Sequence, residues 1–355
     1  MSLTAAAAIL GFGLQAGMEE TATEFYRHRA TMVDLDAIDD VREGAPEVGG
    51  RPVPTFPYKG GPIVAGGFTL QPRFEDTLGI LLYGLLGNVE TDPLGGGDYA
   101  DINTHKFLFA TETSFIPWMS FRKYIPKNNG IPGTDFGQVF TDCKVLGGTL
   151  VLPNDGPVGM RVDALGRMFA LDHSPSSWTW ANQFESWESI PVASAPLGYI
   201  KVDNDELPVV AANIAFQNVP LDPRQERVFG SPYLEDVTVV QRRLAFDLTV
   251  KWRDPDLYAK MLTGTVNGTT WTSAPYTGAL YIKTVSSVNM PTESIPYSLR
   301  VQAGEVMLSQ VGGITLAANQ SIMMRFAGVA LDPGDYSDYC SFTLTNKAAG
   351  YVLPS

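Results

Sequence analysis

Few residues in this sequence are spaced for chemistry, and the sharpest pattern is a run of glycines within residues 11–17. Its GxGxxxG spacing, with Asp34 and Asp36 about twenty residues further on, resembles a dinucleotide-binding loop. Such a loop requires a strand before it, a helix after it and a βαβ unit around it. Residues 18–23 carry no apolar stripe, and no parallel-sheet pattern follows. We therefore expect a flexible glycine-containing arm without a bound nucleotide.

The histidines and the acidic runs form no recognisable catalytic or metal-binding pattern. His28, His105 and His173 are the only histidines, and none is paired with a second at metal-ligand spacing. The acidic runs at 34–40 and 332–338 do not combine the loop glycine and closing glutamate of an EF-hand. No nucleophile or phosphate-loop motif is present, and no pair among the 38 acidic residues stands out for glycoside hydrolysis. We expect no catalytic residue, no cofactor and no metal.

The composition favours a folded, acidic protein. The chain has 355 residues, of which 45% are hydrophobic and 18% charged, and this length is typical of two domains. Its net charge of −13 opposes binding to nucleic acid or anionic lipid by charge attraction. Cys143 and Cys340 lack a CxxC partner and are expected to be buried thiols in a reducing cytoplasm. No apolar run is long enough to span a bilayer, so we expect no membrane contact.

Three blocks of sequence recur in the same order, which predicts an internal duplication. The paired blocks are residues 68–76 with 246–254, 116–122 with 295–300, and 147–161 with 312–325. The offset between the copies falls from 178 at the first block to about 165 at the third. We therefore expect extra residues in the first copy within 123–143, a stretch rich in turn-forming residues that reads as an inserted loop.

Each copy predicts a strand, a short helix and further strands. Apolar and polar residues alternate along 68–74 and 246–252, which indicates half-buried strands. Leucines at helical spacing follow, with Asp76 placed to cap the start and Gly87 the end. The predicted core residues are Phe68, Leu70, Phe74, Leu78, Leu82 and Leu85 in the first copy and Phe246, Leu248, Trp252, Leu257 and Met261 in the second. We expect a mainly β fold of two tandem sandwich or barrel repeats, each with one short helix.

The domain boundaries follow from these blocks. They are 1–50 for an N-terminal arm and first strand region, 51–166 for repeat 1 with the inserted loop 123–143, 167–206 for a linker, and 207–355 for repeat 2. Candidate contacts between subunits lie at the start of the inserted loop and in the aromatic linker. They are Arg122, Lys123, Lys127, Trp178, Trp180 and Trp187.

Several of these segments resemble the major tail tube proteins of long-tailed bacteriophages. The segments are the Gly-to-Thr-Ala opening at 13–22, the strand–helix block at 67–87, the stretch 104–107 followed by 116–118, and the early strand of the second copy at 210–218. The chain departs from the common pattern in being doubled, which is similar to the two-domain version of some thermophilic phages.

The resemblance implies a structural virion protein and no enzyme. Trimeric, pseudo-hexameric rings would stack into a tail tube whose acidic lumen passes genomic DNA. The implied partners are further copies of the chain, the tape measure protein and double-stranded DNA without specific binding, with tail terminator and distal tail proteins at the ends. The implied location is the virion, after assembly in the host cytoplasm. Two alternatives stay open: another tail, baseplate or secretion-tube ring protein such as a terminator or hub, and an all-β carbohydrate-active enzyme.

Overall fold

The computed structural model describes most of the chain. It covers residues 8–354 apart from 46, 47, 49, 51, 52, 54, 55, 96–98, 100, 112–115, 127–134, 193–197, 204, 254, 313, 315–317, 319 and 335–338. Over these residues the fold is mainly β and sandwich-like, with two short helices, as the strand pattern predicts. No helix in the described part of the chain is long and apolar enough to cross a membrane.

The elements follow one another in this order. They are β1 (Ile9–Leu14), β2 (Tyr26–His28), β3 (Ala30–Val33), β4 (Asp36–Ile38), β5 (Val41–Glu43), β6 (Pro57–Lys59), β7 (Ile63–Leu70), α1 (Thr77–Leu86), β8 (Gly87–Pro93), β9 (Asn103–Phe109), β10 (Met119–Ile125), β11 (Phe136–Leu152), β12 (Gly159–Asp172), β13 (Tyr199–Val202), β14 (Asp205–Glu206), β15 (Val209–Pro220), β16 (Val239–Lys251), α2 (Asp256–Thr263), β17 (Tyr276–Asn289), β18 (Pro296–Gln310), β19 (Met323–Ala330) and β20 (Ser341–Asn346). Two 3-10 helices, Pro175–Ser177 and Trp187–Ser189, lie between β12 and β13.

The two halves of the chain pair their strands in the same order. In the first half the order is β2–β1–β10–β11–β12–β7, with β3 and β4 on the outer side of β7. In the second half it is β14–β13–β17–β18–β19–β16–β15. Every pairing is antiparallel, and each half places its helix directly after β7 or β16. Position by position, β3–β4 therefore corresponds to β15, β10 to β17, β11 to β18 and β12 to β19.

This topology corrects the second sequence block. Residues 116–122 lead into β10 and 295–300 into β18, but the counterpart of β10 is β17. The extra residues of the first half lie at 87–118, where the β8–β9 hairpin is found, because the counterpart of that connection is only 264–275.

The inserted loop expected at 123–143 is also wrong over its described residues. β10 ends at Ile125, and β11 begins at Phe136, which lies opposite Ile125 in the antiparallel ladder. The residues that favour turns occupy only the middle of this stretch, which lies outside the described residues. Residues 123–125 and 136–143 belong to β10 and β11, so both described ends of the predicted loop are part of the sheet.

A flexible arm was expected at 11–17, but residues 11–14 belong to the buried strand β1. β1 pairs with both β10 and β2, and Phe12 has no exposed surface. A Cβ atom on Gly13 would lie 2.0 Å from the Glu24 carbonyl oxygen, and one on Gly11 would lie 2.1 Å from the Trp180 ring. These glycines therefore allow close packing, and the GxGxxxG spacing does not signal flexibility here.

One hydrophobic core runs through both halves. Its members include the eight predicted residues Phe68, Leu70, Phe74, Leu78, Leu82, Leu85, Phe246 and Leu248, whereas Trp252, Leu257 and Met261 are only partly buried at its rim. Nine of the ten residues of α1 are buried, but none of those of α2 is. Both helices end at a glycine in the left-handed conformation, Gly87 at φ 87° and Gly264 at φ 78°, where other residues would be strained.

Two ladders join the halves. β11 pairs with β15 from Gly147 opposite Gln217 to Leu152 opposite Ala212, and β9 pairs with β20. The predicted linker 167–206 begins inside β12 and ends inside β13 and β14, so its ends belong to the sheet.

Candidate subunit-contact site

Arg122 and Trp178, both predicted to face a neighbouring subunit, pack against their own chain. The Arg122 guanidinium lies 3.7 Å from the centre of the Phe25 ring and 4.9 Å from that of Trp178. Burial lowers the pKa of Arg122. The Trp178 Nε1 donates to the Asp172 carboxylate at 2.7 Å. Together they fasten the segment after β12 to β10.

Lys123 also makes its contacts within the chain. Its Nζ donates to the Leu35 carbonyl oxygen at 3.0 Å and to Asp36 at 3.1 Å, and lies over the Phe140 ring. It thus bridges β10 to the connection between β3 and β4. Lys127 lies outside the described residues.

The linker tryptophans differ in exposure. The Trp180 ring covers Gly11 of β1 and packs edge-on against Trp178. Trp187 is 71% exposed on its 3-10 helix. Of these three predicted contacts, Trp187 is the one that the fold leaves available to a partner.

The open edges of the sheet are a more specific candidate for self-association. Within the described residues, β3 and β4 pair only with β7, whereas their counterpart β15 pairs with β16 on one side and β11 on the other. β17 begins at Tyr276 opposite Leu308, so in the described part of the chain Ser309 and Gln310 pair with β19 alone. The end of β18 therefore corresponds to the part of β11 that pairs with β15, and β3 and β4 correspond to β15, but neither has the equivalent partner within the described residues.

Register identifies the residues that would meet there. Inside the chain Val151 lies opposite Asn213. The counterpart of Asn213 is Met32, since these residues face the equivalent positions Asp247 and Thr69 of β16 and β7. The counterpart of Val151 is Val311, one residue beyond the end of β18. Met32 and Val311 are 49% and 41% exposed.

A half-buried acidic cluster at the start of α1 was not visible in the sequence. The Glu185 carboxylate accepts hydrogen bonds from the backbone N–H groups of Asp76 and Thr77, both at 2.8 Å, and from the Thr77 hydroxyl. Its Oε2 lies 3.7 Å from Nδ1 of His28. Glu185 therefore caps the helix from 108 residues away, and the Asp76 carboxylate makes no capping hydrogen bond. No local pattern marks such a cap.

The neighbouring carboxylates have raised pKa values. Burial, followed by repulsion from Glu185, Glu75 and Glu24, raises the pKa of Asp76 to about 6. Burial and repulsion from Glu185 also raise the pKa of Glu75. The cluster ties the linker to α1 at an electrostatic cost.

Asp142 forms a second buried junction. It has no exposed surface and binds Arg167 Nη1 at 3.0 Å, Gln15 Nε2 at 3.1 Å and the Glu19 backbone N–H at 2.7 Å. Arg167 Nε in turn donates to the Leu234 carbonyl oxygen at 2.6 Å. The segment after β1, strands β11 and β12, and the connection between β15 and β16 therefore meet at one ion pair.

Asn346 and Tyr351 form a third junction, over α1. The Asn346 side chain donates to the Phe74 and Glu75 carbonyl oxygens and to the Tyr351 hydroxyl at 2.8–3.0 Å. The buried Tyr351 ring lies 4.8 Å from that of His105. A segment from the second half thus covers the helix of the first.

The cavities in the described part of the chain do not indicate a particular reaction or ligand. Three of them measure about 320, 490 and 510 Å³ and are open to solvent. The first lies beside α2, and the other two lie on either side of Leu353. In the ranges that the structure describes, no group of three or more His, Cys, Asp or Glu side chains is arranged to hold a metal ion.

Comparison with known proteins adds no identification: no protein-family model matches the chain, and no curated protein sequence matches it significantly.

Proposed function

We propose that this chain is the structural subunit of a bacteriophage tail tube. Three chains would form a pseudo-hexameric ring, and rings would stack into a tube through which genomic DNA leaves the virion. The proposed partners are further copies of the chain, the tape measure protein and DNA in the lumen, and terminator and distal tail proteins at the ends. Assembly in the host cytoplasm would precede incorporation into the virion.

The observation that carries the proposal is the repeated strand order with an edge contact between the repeats. In this contact β11 of the first half pairs with β15 of the second half. Among the residues that the structure describes, Ser309 and Gln310 of β18 have no strand partner on the corresponding side of the second half, and β3 and β4 have none on theirs in the first half. A head-to-tail contact that recurs at both ends of a subunit closes into a ring when the rotation allows it.

Exposed strand edges give a further reason for assembly. Unpaired N–H and C=O groups at a sheet edge favour pairing with another strand, and ring closure removes such edges. The net charge of −13 favours a lumen that does not retain DNA. The family resemblance points to the same function.

A disulfide across the proposed contact tests it. We expect the double variant Met32→Cys/Val311→Cys to form covalent species that end at a trimer on oxidation, since facing residues of an antiparallel pair lie within disulfide reach. The native thiols Cys143 and Cys340 are fully buried, and burial raises their pKa values, so they do not compete.

The control pairs Met32→Cys with Val240→Cys, another exposed position outside the proposed contact. Covalent trimers from the control, or only random aggregates from the test variant, would contradict the edge contact. Negative-stain microscopy of the wild-type protein at high concentration separates the alternatives. Stacked rings support a tube subunit, single rings that never stack favour a terminator, and monodisperse single chains count against both.

A further inference from the structure

One face of the joined sheet packs into the core, and the other is half-exposed to solvent. Across β7, β12, β11, β15, β16 and β19, the row Leu70, Met160, Leu150, Ile214, Phe246 and Gly328 begins with five residues of the core. The neighbouring row faces the other way and consists of Thr69, Arg161, Thr149, Ala215, Ala245 and Val329. Apart from Arg161, this second row holds only short uncharged side chains.

Arg161 is held by two carboxylates. Its Nη2 donates to both oxygens of Asp34, at 3.0 and 3.1 Å, and its Nε donates to Asp163 at 2.9 Å. These contacts tie β12 to the connection between β3 and β4. They also occupy the planar donor fork through which arginine binds phosphate.

The second half holds a different arginine–aspartate pair on the same face. Arg325 lies on β19, the counterpart of β12, and its Nε donates to both oxygens of Asp247 at 2.8 and 3.1 Å, with a further bond from Nη2. The guanidinium holds the pKa of Asp247 below its usual range, so this carboxylate stays charged at neutral pH. β16 itself carries two cations on this face, Arg243 on one side of Asp247 along the strand and Lys251 on the other.

We infer that Asp34, Asp163 and Asp247 neutralise Arg161 and Arg325 so that this sheet face passes duplex DNA without retaining it. The inference rests on the proposed tube function and identifies the strands that face the lumen. Each arginine–phosphate contact displaces a condensed counterion and holds the DNA in place. An arginine whose donors are already occupied by carboxylates ties the strands together without adding such a contact.

The test frees the arginines and measures DNA binding. Wild type, Asp247→Asn and the triple variant Asp34→Asn/Asp163→Asn/Asp247→Asn are titrated against a fluorescent duplex of about 24 base pairs at about 20 and 150 mM salt. We expect the triple variant to bind at least about tenfold tighter than wild type at low salt, with a salt slope steeper by about 0.9 for each freed arginine. Replacing Arg161 and Arg325 by glutamine in the triple variant should abolish the gain.

The matched control changes net charge equally elsewhere. Asp39→Asn/Asp205→Asn/Glu293→Gln frees Lys59, Lys260 and Lys347. Equal binding by the control and test variants would overturn the inference, as would a folded triple variant that binds no tighter than wild type. If the triple variant does not fold, Asp247→Asn decides, since the side-chain contacts of Asp247 are with Arg325. Microscopy of the same samples shows whether rings form, so a failure of the tube proposal is distinguished from a failure of the DNA-binding inference.

Discussion

Asp76 offers a quantitative test of how α1 is held. Its pKa is raised from 3.8 to about 6 by burial and by the nearby carboxylates of Glu185, Glu75 and Glu24. One pKa unit corresponds to about 1.4 kcal/mol, so the charged form costs the folded protein up to about 3 kcal/mol relative to the unfolded chain. The positive end of the helix dipole stabilises a carboxylate at the helix N-terminus by about 0.3–1 kcal/mol, which offsets part of this cost. We therefore expect Asp76→Asn to raise the free energy of unfolding at neutral pH by about 2 kcal/mol.

The sign of the pH dependence follows from the raised pKa. The folded protein holds the Asp76 proton more tightly than the unfolded chain does, so this group makes wild-type stability fall as pH rises from about 4 to about 6. The asparagine variant lacks this titration. The difference in free energy of unfolding should be near zero at about pH 4, grow up to about pH 6 and stay constant above it.

Thermal and urea unfolding from about pH 4 to 8 measure the difference. For a chain of this size, 2 kcal/mol corresponds to a rise in melting temperature of roughly 3 °C at neutral pH. The control Asp247→Asn should behave oppositely, because the Arg325 guanidinium lowers the pKa of Asp247. Its loss should destabilise the protein at neutral pH, and the effect should fade in acid. The reasoning is refuted if Asp76→Asn melts below wild type at neutral pH, or by the same amount above it at both ends of the range.

Two further substitutions test the cover over α1. Glu185→Ala removes the partner of the first N–H groups of the helix, and we expect a loss of about 1–2 kcal/mol in urea unfolding, with faster proteolysis between residues 173 and 192; unchanged stability would show that solvent replaces this cap. Gly79→Ala should destabilise the protein despite its helix-propensity gain of about 1 kcal/mol, because the new Cβ would lie 2.0 Å from the buried Tyr351 ring. The control Gly84→Ala meets only the flexible end of Met119 and should cost less, and the reverse ranking in melting temperature would contradict the packing described.

Local patterns account for the elements that sequence reasoning identified. The alternation at 246–252, the leucine spacing in α1, and the glycines at 87 and 264 are short-range signals, and β16, α1 and both helix ends lie where these signals place them. The alternation at 68–74 holds only in part, because β7 ends at Leu70 and residues 71–74 lie outside the strand. Their physical cause is local, because side-chain period and helix termination depend on a few neighbouring residues.

The errors arose where the structure depends on distant contacts. The offset between repeated blocks located extra residues at 123–143, but an offset cannot distinguish a longer turn from an added hairpin such as β8–β9. Arg122 and Lys123 remain candidates for a subunit contact, but the sequence does not show that Phe25 and Asp36 lie beside them within the chain. The Glu185 cap and the Asp142 junction join residues more than 100 positions apart, and charge patterns along the chain do not encode such pairings.

The cover over α1 has a consequence for synthesis. Residues 341–351, which pair with β9 and close over the helix, leave the ribosome long after α1 itself. At about 5–20 residues per second the interval is roughly 13–50 s. During that time the nascent chain carries a leucine-rich helix whose final packing partner does not yet exist. The first half therefore cannot complete its folding before residues 341–351 emerge, and a chaperone that shields apolar segments would be needed most in this interval.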